Sequence, residues 1–344
     1  MIPRLDSAKL ASVQARQNSL LKIPGSLGLL EEIGNRIGAM QRTDRPVLNR
    51  GAVIVCCADH GVTAESVAAF PDHITRIQAL NFLEGGAAIN QIALASQADV
   101  WVVDAGVKGD DIPTHPRLVG PGIRKGCGNI AREPAMTREQ AQAAIDLGRK
   151  AARRAIDAGA QVVAAGDMGI GNTTPSAALT AAFLGLEPEL VTGRGSGIDD
   201  EMRVRKIRSV ESAVARARQE LGDLQKADPI DVLAQVGGLE LAAITGVYLE
   251  GALRGIPLVC DGFPVTSGVL VASRIDEGVK DYLFAGHQSM EPGHAWQLRE
   301  LGLDPIFRLG LRLGEGTGAV LAFPVLRAAC QILAGMKTFA DIGM

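Results

Sequence analysis

The chain has 344 residues, of which 47% are hydrophobic and 21% charged, a composition typical of a globular protein with a large buried core. Aromatic residues make up only 3% and the net charge is −3, so neither the stacking platforms nor the basic surface of a nucleic-acid-binding protein is expected. No uninterrupted apolar run reaches the roughly 18 residues of a membrane helix, and no secretory signal begins the chain. The five cysteines lack zinc spacing, which predicts reduced thiols in a cytoplasmic protein.

Taken from the N-terminus, residues 1–50 are predicted to be mainly helical, with a turn in the KIPGSLG segment at 22–28. Short, continuous apolar runs then alternate with helical patterns. The predicted strands are AVIVCCADHG (52–61), DVWVVDAGV (99–107), QVVAAGD (161–167), IPLVCDGF (256–263) and DYLFAGH (281–287). The predicted helices are 74–98 with a break at Gly85, 137–160, 199–221, 237–255 and the segment after Glu315.

Continuous apolar strands separated by helices are typical of parallel sheets that are covered on both faces. We therefore predict an α/β fold with a doubly wound, mainly parallel, Rossmann-like sheet. The large α/β domain is expected over 51–320, and a small helical domain is expected from both chain ends, 1–50 and 321–344. Polar residues and glycines follow the strands, so these loops are expected to meet at one ligand site beyond the carboxyl ends of the strands.

The segment LGLRLGEGTGA (309–319) places Glu315 between Gly314 and Gly316, just before a helical run. A loop this rich in glycine usually approaches a ligand closely or needs positive φ angles. Glu315 is thus a candidate general base or acid. A solvated acid, or a charge placed favourably at the start of a helix, fits the pattern equally well.

A second glycine-rich loop, GDMGIGNTT (166–174), lies between a predicted strand and a predicted helix. Its backbone N–H groups favour a phosphate or another anion. The alternative is a tight turn capped by Asn172, but one turn rarely needs three glycines. GRGSG (193–197) and Lys206 are candidate sources of positive charge, with a surface loop and a solvated helix face as the alternative.

The segment HQSMEPGH (287–294) contains His287, Glu291 and His294, which are possible metal ligands. We expect Pro292 and Gly293 to break the helix on which an HExxH-type site relies. A polar loop whose side chains bond to backbone groups is therefore the favoured interpretation of this segment.

Several of these segments, taken together and in order, resemble the family of nicotinate-nucleotide–dimethylbenzimidazole phosphoribosyltransferases. The match runs from about Lys22 to the C-terminus. The matching segments are KIPGSLG, ADHGV, GGAAIN, GDMGIGNTTPSAAL, GRGSGIDDE with the following RK, GGLELAAITG, CDGF, HQSMEPGH and LGLRLGEGTGAVLA.

The resemblance implies that a benzimidazole-type base displaces nicotinate from nicotinate mononucleotide, giving an α-linked ribotide for the lower ligand of cobamides. It also implies a homodimer, a Rossmann-like large domain, a small domain built from both chain ends, no metal and no cofactor. Small-molecule substrates are then the expected partners, with neither nucleic acid nor membrane among them.

The resemblance also implies roles for individual residues. Glu315 matches the family's catalytic glutamate, which takes the N–H proton of the incoming base. The positions that match substrate-binding residues are Gly169, Gly171, Asn172, Thr173, Gly195, Ser196, Lys206 and Ser289, together with Gly314 and Gly316 beside the glutamate.

Two positions depart from the family pattern. Asp167 stands where the family usually has a glutamate that contacts the base, and it is a second candidate catalytic residue. Ala68 stands where many members have serine. These departures predict altered base selectivity, so the same reaction with benzimidazole, adenine or a phenolic base is the main alternative.

Two alternatives from other classes remain. One is a metal-dependent hydrolase that uses His287, Glu291 and His294. The other is a non-catalytic nucleotide-binding regulator, which the intact Glu315 loop disfavours because a protein that only binds needs no general base.

Overall fold

The computed structural model describes residues 1–195 and 197–344. Seven parallel strands form one sheet in the order β3-β2-β1-β4-β5-β6-β7. The strands are β1 Gly51–Ala58, β2 Ala98–Gly106, β3 Leu118–Val119, β4 Val162–Met168, β5 Leu258–Cys260, β6 Leu283–His287 and β7 Pro305–Phe307. The order reverses between β1 and β4, the switch point at which ligands bind in open parallel sheets.

Helices cover both faces of the sheet. They are α1 Ser7–Ser19, α2 Leu29–Met40, α3 Ile74–Glu84, α4 Ala88–Ala95, α5 Arg138–Asp157, α6 Thr173–Leu184, α7 Pro188–Val191, α8 Asp200–Leu221, α9 Pro229–Val236, α10 Leu239–Leu253, α11 Phe263–Ile275, α12 Pro292–Leu301, α13 Thr317–Leu321 and α14 Phe323–Gly335.

Strand β1 is apolar at consecutive positions, instead of alternating between apolar and polar residues, because each of its faces packs on a core. Ile54 and Cys56 face the core formed with helices α5, α6 and α8 to α11. Val53 and Val55 face the opposite core, formed with α2, α3, α4, α13 and α14. Both faces of the strand are buried, as expected for a central parallel strand.

The two ends of the chain meet on one side of the molecule. Leu20 and Thr338 form an antiparallel bridge. The Arg16 side chain donates to the last carbonyl oxygens of α14, those of Leu333 at 3.0 Å and Ala334 at 3.2 Å. These contacts join the terminal helices, while the division into two domains stays a prediction.

One helical stretch, Thr317–Gly335, is apolar and long enough to cross a membrane by length and composition. Half of its residues are buried within the fold, and α13 ends before α14 begins at Phe323. Core helices of globular proteins pass the same test.

Several sequence expectations need correction. The short strands β3 and β7 were not predicted, because two or three residues carry no readable periodicity. The helix after Glu315 is divided into α13 and α14, with Pro324 in the first turn of the second. As expected, no helix spans His287 to His294, since α12 begins only at Pro292, where proline is well suited to the first helical position.

Candidate active site

A cavity of about 350 Å³ lies beyond the carboxyl ends of β4, β5 and β6. It brings together most of the residues that the sequence singled out. The predicted residues that line it are Asp167, Gly169, Gly171, Asn172, Thr173, Gly195, Lys206, Ser289, Gly314 and Glu315. Gly316 lies beside this lining as the N-cap of α13, and Ser196 lies outside the described residues. The volume suits a small-molecule ligand.

Glu315 is held in an uncommon backbone conformation. Its φ is +63°, in the left-handed region that non-glycine residues seldom adopt. The turn packs tightly on β4, since a Cβ on Gly166 would lie 2.2 Å from the Glu315 carbonyl oxygen. Backbone strain of this kind concentrates at functional sites, where the surrounding packing maintains it.

The Glu315 carboxylate is buried, with only 4% of the residue exposed. Oε1 accepts from Gln78 Nε2 at 3.3 Å, and Oε2 accepts from the Ile89 N–H at 3.2 Å, in the first turn of α4. Burial raises the pKa of Glu315, the Ile89 N–H opposes that rise, and the nearby charge of Asp261 adds to it. A carboxylate with a raised pKa is a better proton acceptor near neutral pH.

Asp167, at the end of β4, is also buried, with 7% exposure. Its Oδ2 accepts from Asn172 Nδ2 at 2.8 Å, while Oδ1 has no hydrogen-bond partner among the described residues. Burial, followed by the charge of Asp261, raises its pKa to about 7. The cavity thus contains two buried carboxylates whose pKa values are raised, that of Asp167 to about 7.

The GDMGIGNTT loop leads directly into α6, which begins at Thr173. Lys206, on α8, reaches this helix start and donates to Thr173 Oγ1 at 2.7 Å. Only 1% of Lys206 is exposed, and burial lowers its pKa to about 8. A buried ammonium beside a helix N-terminus and a glycine loop is a site suited to an anion such as phosphate.

Gly195 and Ser289 lie at the same end of the cavity, joined through Glu291. The Gly195 N–H donates to Glu291 Oε1 at 2.8 Å, and the Glu291 N–H donates to Ser289 Oγ at 3.3 Å. Glu291 therefore bonds to a backbone N–H, as the polar-loop interpretation of 287–294 expects, and orients the Gly195 loop beside Lys206.

The proposed metal ligands of the 287–294 segment do not converge. Both ring nitrogens of His294 are occupied, Nδ1 by the Ser289 N–H at 2.9 Å and Nε2 by Thr266 Oγ1 at 3.0 Å. Burial lowers the pKa of His294 to about 3, so its ring is neutral. His287 Nε2 lies 3.4 Å from Asp261 Oδ1 instead. These contacts support the polar-loop interpretation over a hydrolase centre.

Another set of potential ligands lies outside the cavity. His60, Cys127 and Glu240 are all buried, and their ligand-type atoms lie within 4.8 Å of one another. The His60 Nε2 atom is 2.9 Å from Glu240 Oε1, a hydrogen-bonded pair. Since Gly169 packs directly against Ala58 and His60, this pair supports the GDMGIGNTT loop.

The sequence analysis did not identify the residues that hold Glu315 in place, because they lie far from it along the chain. Gln78 lies in the middle of α3, and the Ile89 contribution is a backbone N–H, so neither carries a motif. Asp261 follows strand β5, and its contact with the Ala319 N–H, just after the Glu315 loop, carries no local sequence signal.

A family model described as Phosphoribosyltransferase matches residues 2–344. The chain belongs to this phosphoribosyltransferase family. The nicotinate-nucleotide–dimethylbenzimidazole phosphoribosyltransferases of Thermus thermophilus and Chromobacterium violaceum are 54% and 46% identical to it over 340 residues. The aligned regions cover 99% of this chain in both comparisons, and 99% and 97% of the two relatives.

The phosphoribosyltransferase fold is shared as well. The crystal structure of CobT from Thermus thermophilus matches with a TM-score of 0.94 at 54% sequence identity, covering 98% of this chain and 99% of that one. The family resemblance, the α/β class with a parallel sheet and the assignment as a pentosyltransferase are thereby confirmed.

Proposed function

We propose that this enzyme transfers the phosphoribosyl group of nicotinate mononucleotide to 5,6-dimethylbenzimidazole. The products are α-ribazole 5′-phosphate and nicotinate, in the assembly of the nucleotide loop of cobalamin. Support comes from the names of the relatives and from the joint presence, in one cavity, of a buried carboxylate and an anion site.

Glu315 acts in this mechanism as the general base. One ring nitrogen of the base attacks the anomeric carbon while Glu315 takes the proton from the other ring nitrogen. The carbon–nitrogen bond to nicotinate breaks, and nicotinate leaves with the bonding electron pair. The pyridinium is already a good leaving group, so this side of the reaction needs no acid.

Lys206, Thr173 and the GDMGIGNTT loop hold the 5′-phosphate. They thereby place the anomeric carbon between nicotinate and the incoming base. Ser289 and the Gly195 loop complete this end of the cavity. Asp167 faces the same space with a proton affinity matched to neutral pH, and we assign it to the base and to a share in the proton transfer.

The observation that carries the proposal is the Glu315 carboxylate, buried and held between the Gln78 amide and the Ile89 N–H. The deciding experiment is turnover of nicotinate mononucleotide with dimethylbenzimidazole, in the presence of chelator, for wild type and Glu315→Gln. We expect an α-ribazole phosphate peak from wild type that falls by at least about a hundredfold in the variant.

Exposed Glu32 on α2 provides the matched control, because Glu32→Gln changes the same functional group far from the cavity. Wild-type turnover in Glu315→Gln would contradict the assignment of the base. Loss of activity in chelator would favour the metal-dependent hydrolase. Binding of the nucleotide without any turnover would favour the regulator.

A second candidate is the same reaction with another base, favoured by Asp167. Its shorter side chain leaves more room in the cavity than the glutamate that is usual in the family, and Ala68 offers no hydroxyl at the cavity wall. We expect competition assays to show relaxed preference among dimethylbenzimidazole, benzimidazole and adenine, and Asp167→Glu to narrow it. Strict preference for dimethylbenzimidazole in wild type would refute this candidate.

We also propose a cytoplasmic homodimer. Phe70 and Leu313 line the cavity while remaining more than half exposed, at 53% and 59%, so a second copy covering this face would bury apolar surface beside the substrates. Sedimentation equilibrium is expected to give twice the mass of one chain, and a monomer at micromolar concentration would exclude the dimer.

A further inference from the structure

The loop that carries Glu315 is held by a residue that the mechanism has not used. Asp261 follows β5 and is fully buried, with 0% exposure. Its Oδ1 accepts the Ala319 N–H at 2.9 Å, in the first turn of α13. This N–H has no carbonyl partner inside its own helix, so Asp261 supplies the missing acceptor. A side chain from the sheet therefore anchors the segment immediately after Glu315.

The other contacts of this loop leave it little freedom. A Cβ on Gly318 would lie 1.9 Å from Cδ2 of His287, so the first turn of α13, directly after the loop, packs against that imidazole. A Cβ on Gly286 would meet the Gly318 carbonyl oxygen at 2.6 Å. Together with Gly166 beneath Glu315, these contacts sandwich the loop between β4 and β6, and Asp261 ties it to β5.

Asp261 also forms a pair with His287. Their closest atoms, Oδ1 and Nε2, are 3.4 Å apart, and both residues are buried. The second oxygen of Asp261 has no hydrogen-bond partner among the described residues. A carboxylate with one oxygen unpaired retains much of its field in a buried site, and Glu315 and Asp167 lie within that field.

We propose that Asp261 is a positioning residue for Glu315, which it holds through the Ala319 N–H, and that its charge, balanced by His287, prepares Glu315 to accept a proton. The inference rests on the proposed role of Glu315 as the general base. It assigns to Asp261 and His287 a part in the reaction that does not require contact with substrate.

The direction of the electrostatic effect follows from the groups around Glu315. Charged or titratable groups face it from the strands and from its own loop, while α3 and α4 contribute neutral donors. Asp167 on β4, His287 on β6 and Arg312 on the loop line the same cavity, and Asp261 after β5 acts on Glu315 through its charge, with Gln78 and the Ile89 N–H as the neutral donors. The Asp261 charge raises the pKa of Glu315 and also that of Asp167, and removing it should lower both.

The experiment compares the pH dependence of kcat/KM for wild type, Asp261→Asn and Asp261→Ala. Asparagine keeps an oxygen for the Ala319 N–H, so Asp261→Asn should retain kcat within about threefold. The acid limb of its kcat/KM profile should move about 0.5–1 unit to lower pH, because the negative charge is gone. Alanine removes the anchor as well, so kcat should fall at least about tenfold. Thermal unfolding confirms that each variant is folded.

Asp104→Asn is the matched control. Asp104 is also a buried aspartate at the end of a strand, and it accepts the Val107 N–H at 2.9 Å, but its loop does not carry Glu315. Its acid limb should coincide with that of wild type. If the Asp261 variants do not fold, His287→Gln provides an independent test, because it leaves the Asp261 charge unbalanced and should move the acid limb to higher pH.

The outcomes separate the inference from the function on which it rests. If Glu315→Gln remains active, Glu315 is not the base and both proposals fail. If Glu315→Gln is inactive but the acid limb of Asp261→Asn stays with wild type, only the role of Asp261 is overturned. Wild-type kcat in Asp261→Ala would equally overturn the positioning role.

Discussion

At the scale of single residues, the cavity contains buried carboxylates that form no ion pair among the described residues. Glu315 and Asp167 both hold their protons more tightly in the folded chain than in water. Burying an unpaired ionisable group opposes folding whenever the group must ionise. These two residues therefore lower stability at pH values where they are ionised, a trade-off common at active sites.

Asp167 gives this trade-off a definite pH window. Its pKa is about 7 in the folded chain, against an ordinary value of 3.8. Below about pH 4 Asp167 is protonated in both the folded and the unfolded state, so it does not lower the free energy of unfolding. Between these values the unfolded state releases the proton while the folded state retains it, so the free energy of unfolding falls as the pH rises. Above about pH 7 the full loss is reached.

We expect Asp167→Asn to be more stable than wild type at pH 8, by up to about 4 kcal/mol, and to differ little at pH 4. The amide retains an oxygen for Asn172 and cannot ionise. Urea unfolding at both pH values measures the difference. Asp146→Asn, an exposed change on α5, is the control and should leave stability nearly unchanged. A variant that is equally destabilised at both pH values would contradict the electrostatic cause.

At the scale of elements, glycines determine how closely segments approach. A Cβ on Gly148 of α5 would meet the Ala243 carbonyl oxygen of α10 at 1.8 Å, and one on Gly246 would meet the Ile145 carbonyl oxygen at 1.9 Å. Gly246, the last residue of the GGLELAAITG segment, thus allows α10 to pack closely on α5. Gly318, by contrast, lies against His287 in the first turn of α13, so its missing side chain lets the segment after Glu315 pack closely beside the candidate site.

We expect Gly318→Ala to destabilise the protein by about 1–3 kcal/mol and to reduce turnover, because the added methyl group displaces either His287 or the Glu315 loop. Chemical denaturation and steady-state kinetics measure the two effects. Gly335→Ala in α14 is the matched control, since a Cβ there meets nothing within 4 Å and should leave turnover unchanged. Normal turnover in Gly318→Ala would show that the loop tolerates displacement.

At the scale of the whole molecule, the N-terminal and C-terminal segments of the chain contact each other. Helices α1 and α14 are far apart in sequence, yet Arg16 joins them through the Leu333 and Ala334 carbonyl oxygens. We propose that 1–50 and 321–344 form a small helical unit of their own. Only the short helix α13 separates α14 from the Glu315 loop in the chain. We therefore expect this unit to influence the candidate active site.

We expect Arg16→Met to lower the free energy of unfolding by about 1–3 kcal/mol, because two carbonyl oxygens lose a charged donor. Amide hydrogen exchange should accelerate in α1 and α14 and stay unchanged in the central strands if the terminal unit opens by itself. Arg45→Met, at an exposed position, serves as the control. Uniform acceleration across the sheet would instead indicate a single cooperative domain.

The sequence alone determined the features that depend on short-range patterns. Continuous apolar runs such as 52–58 predicted buried parallel strands, and glycine clusters marked the loops at 166–174 and 309–319. The ordered segments led to the family, which the comparisons confirmed. These features were readable because hydrophobic periodicity and glycine content are local properties of the chain.

Only the tertiary structure decided which distant groups surround Glu315. Gln78 lies 237 positions before it in the chain, Ile89 contributes only a backbone N–H, and Asp261 acts through Ala319. Tertiary contacts likewise occupied both nitrogens of His294 and so disfavoured the metal site that the 287–294 segment allowed. No local pattern encodes such contacts, because they depend on how strands and helices pack after the whole chain has folded.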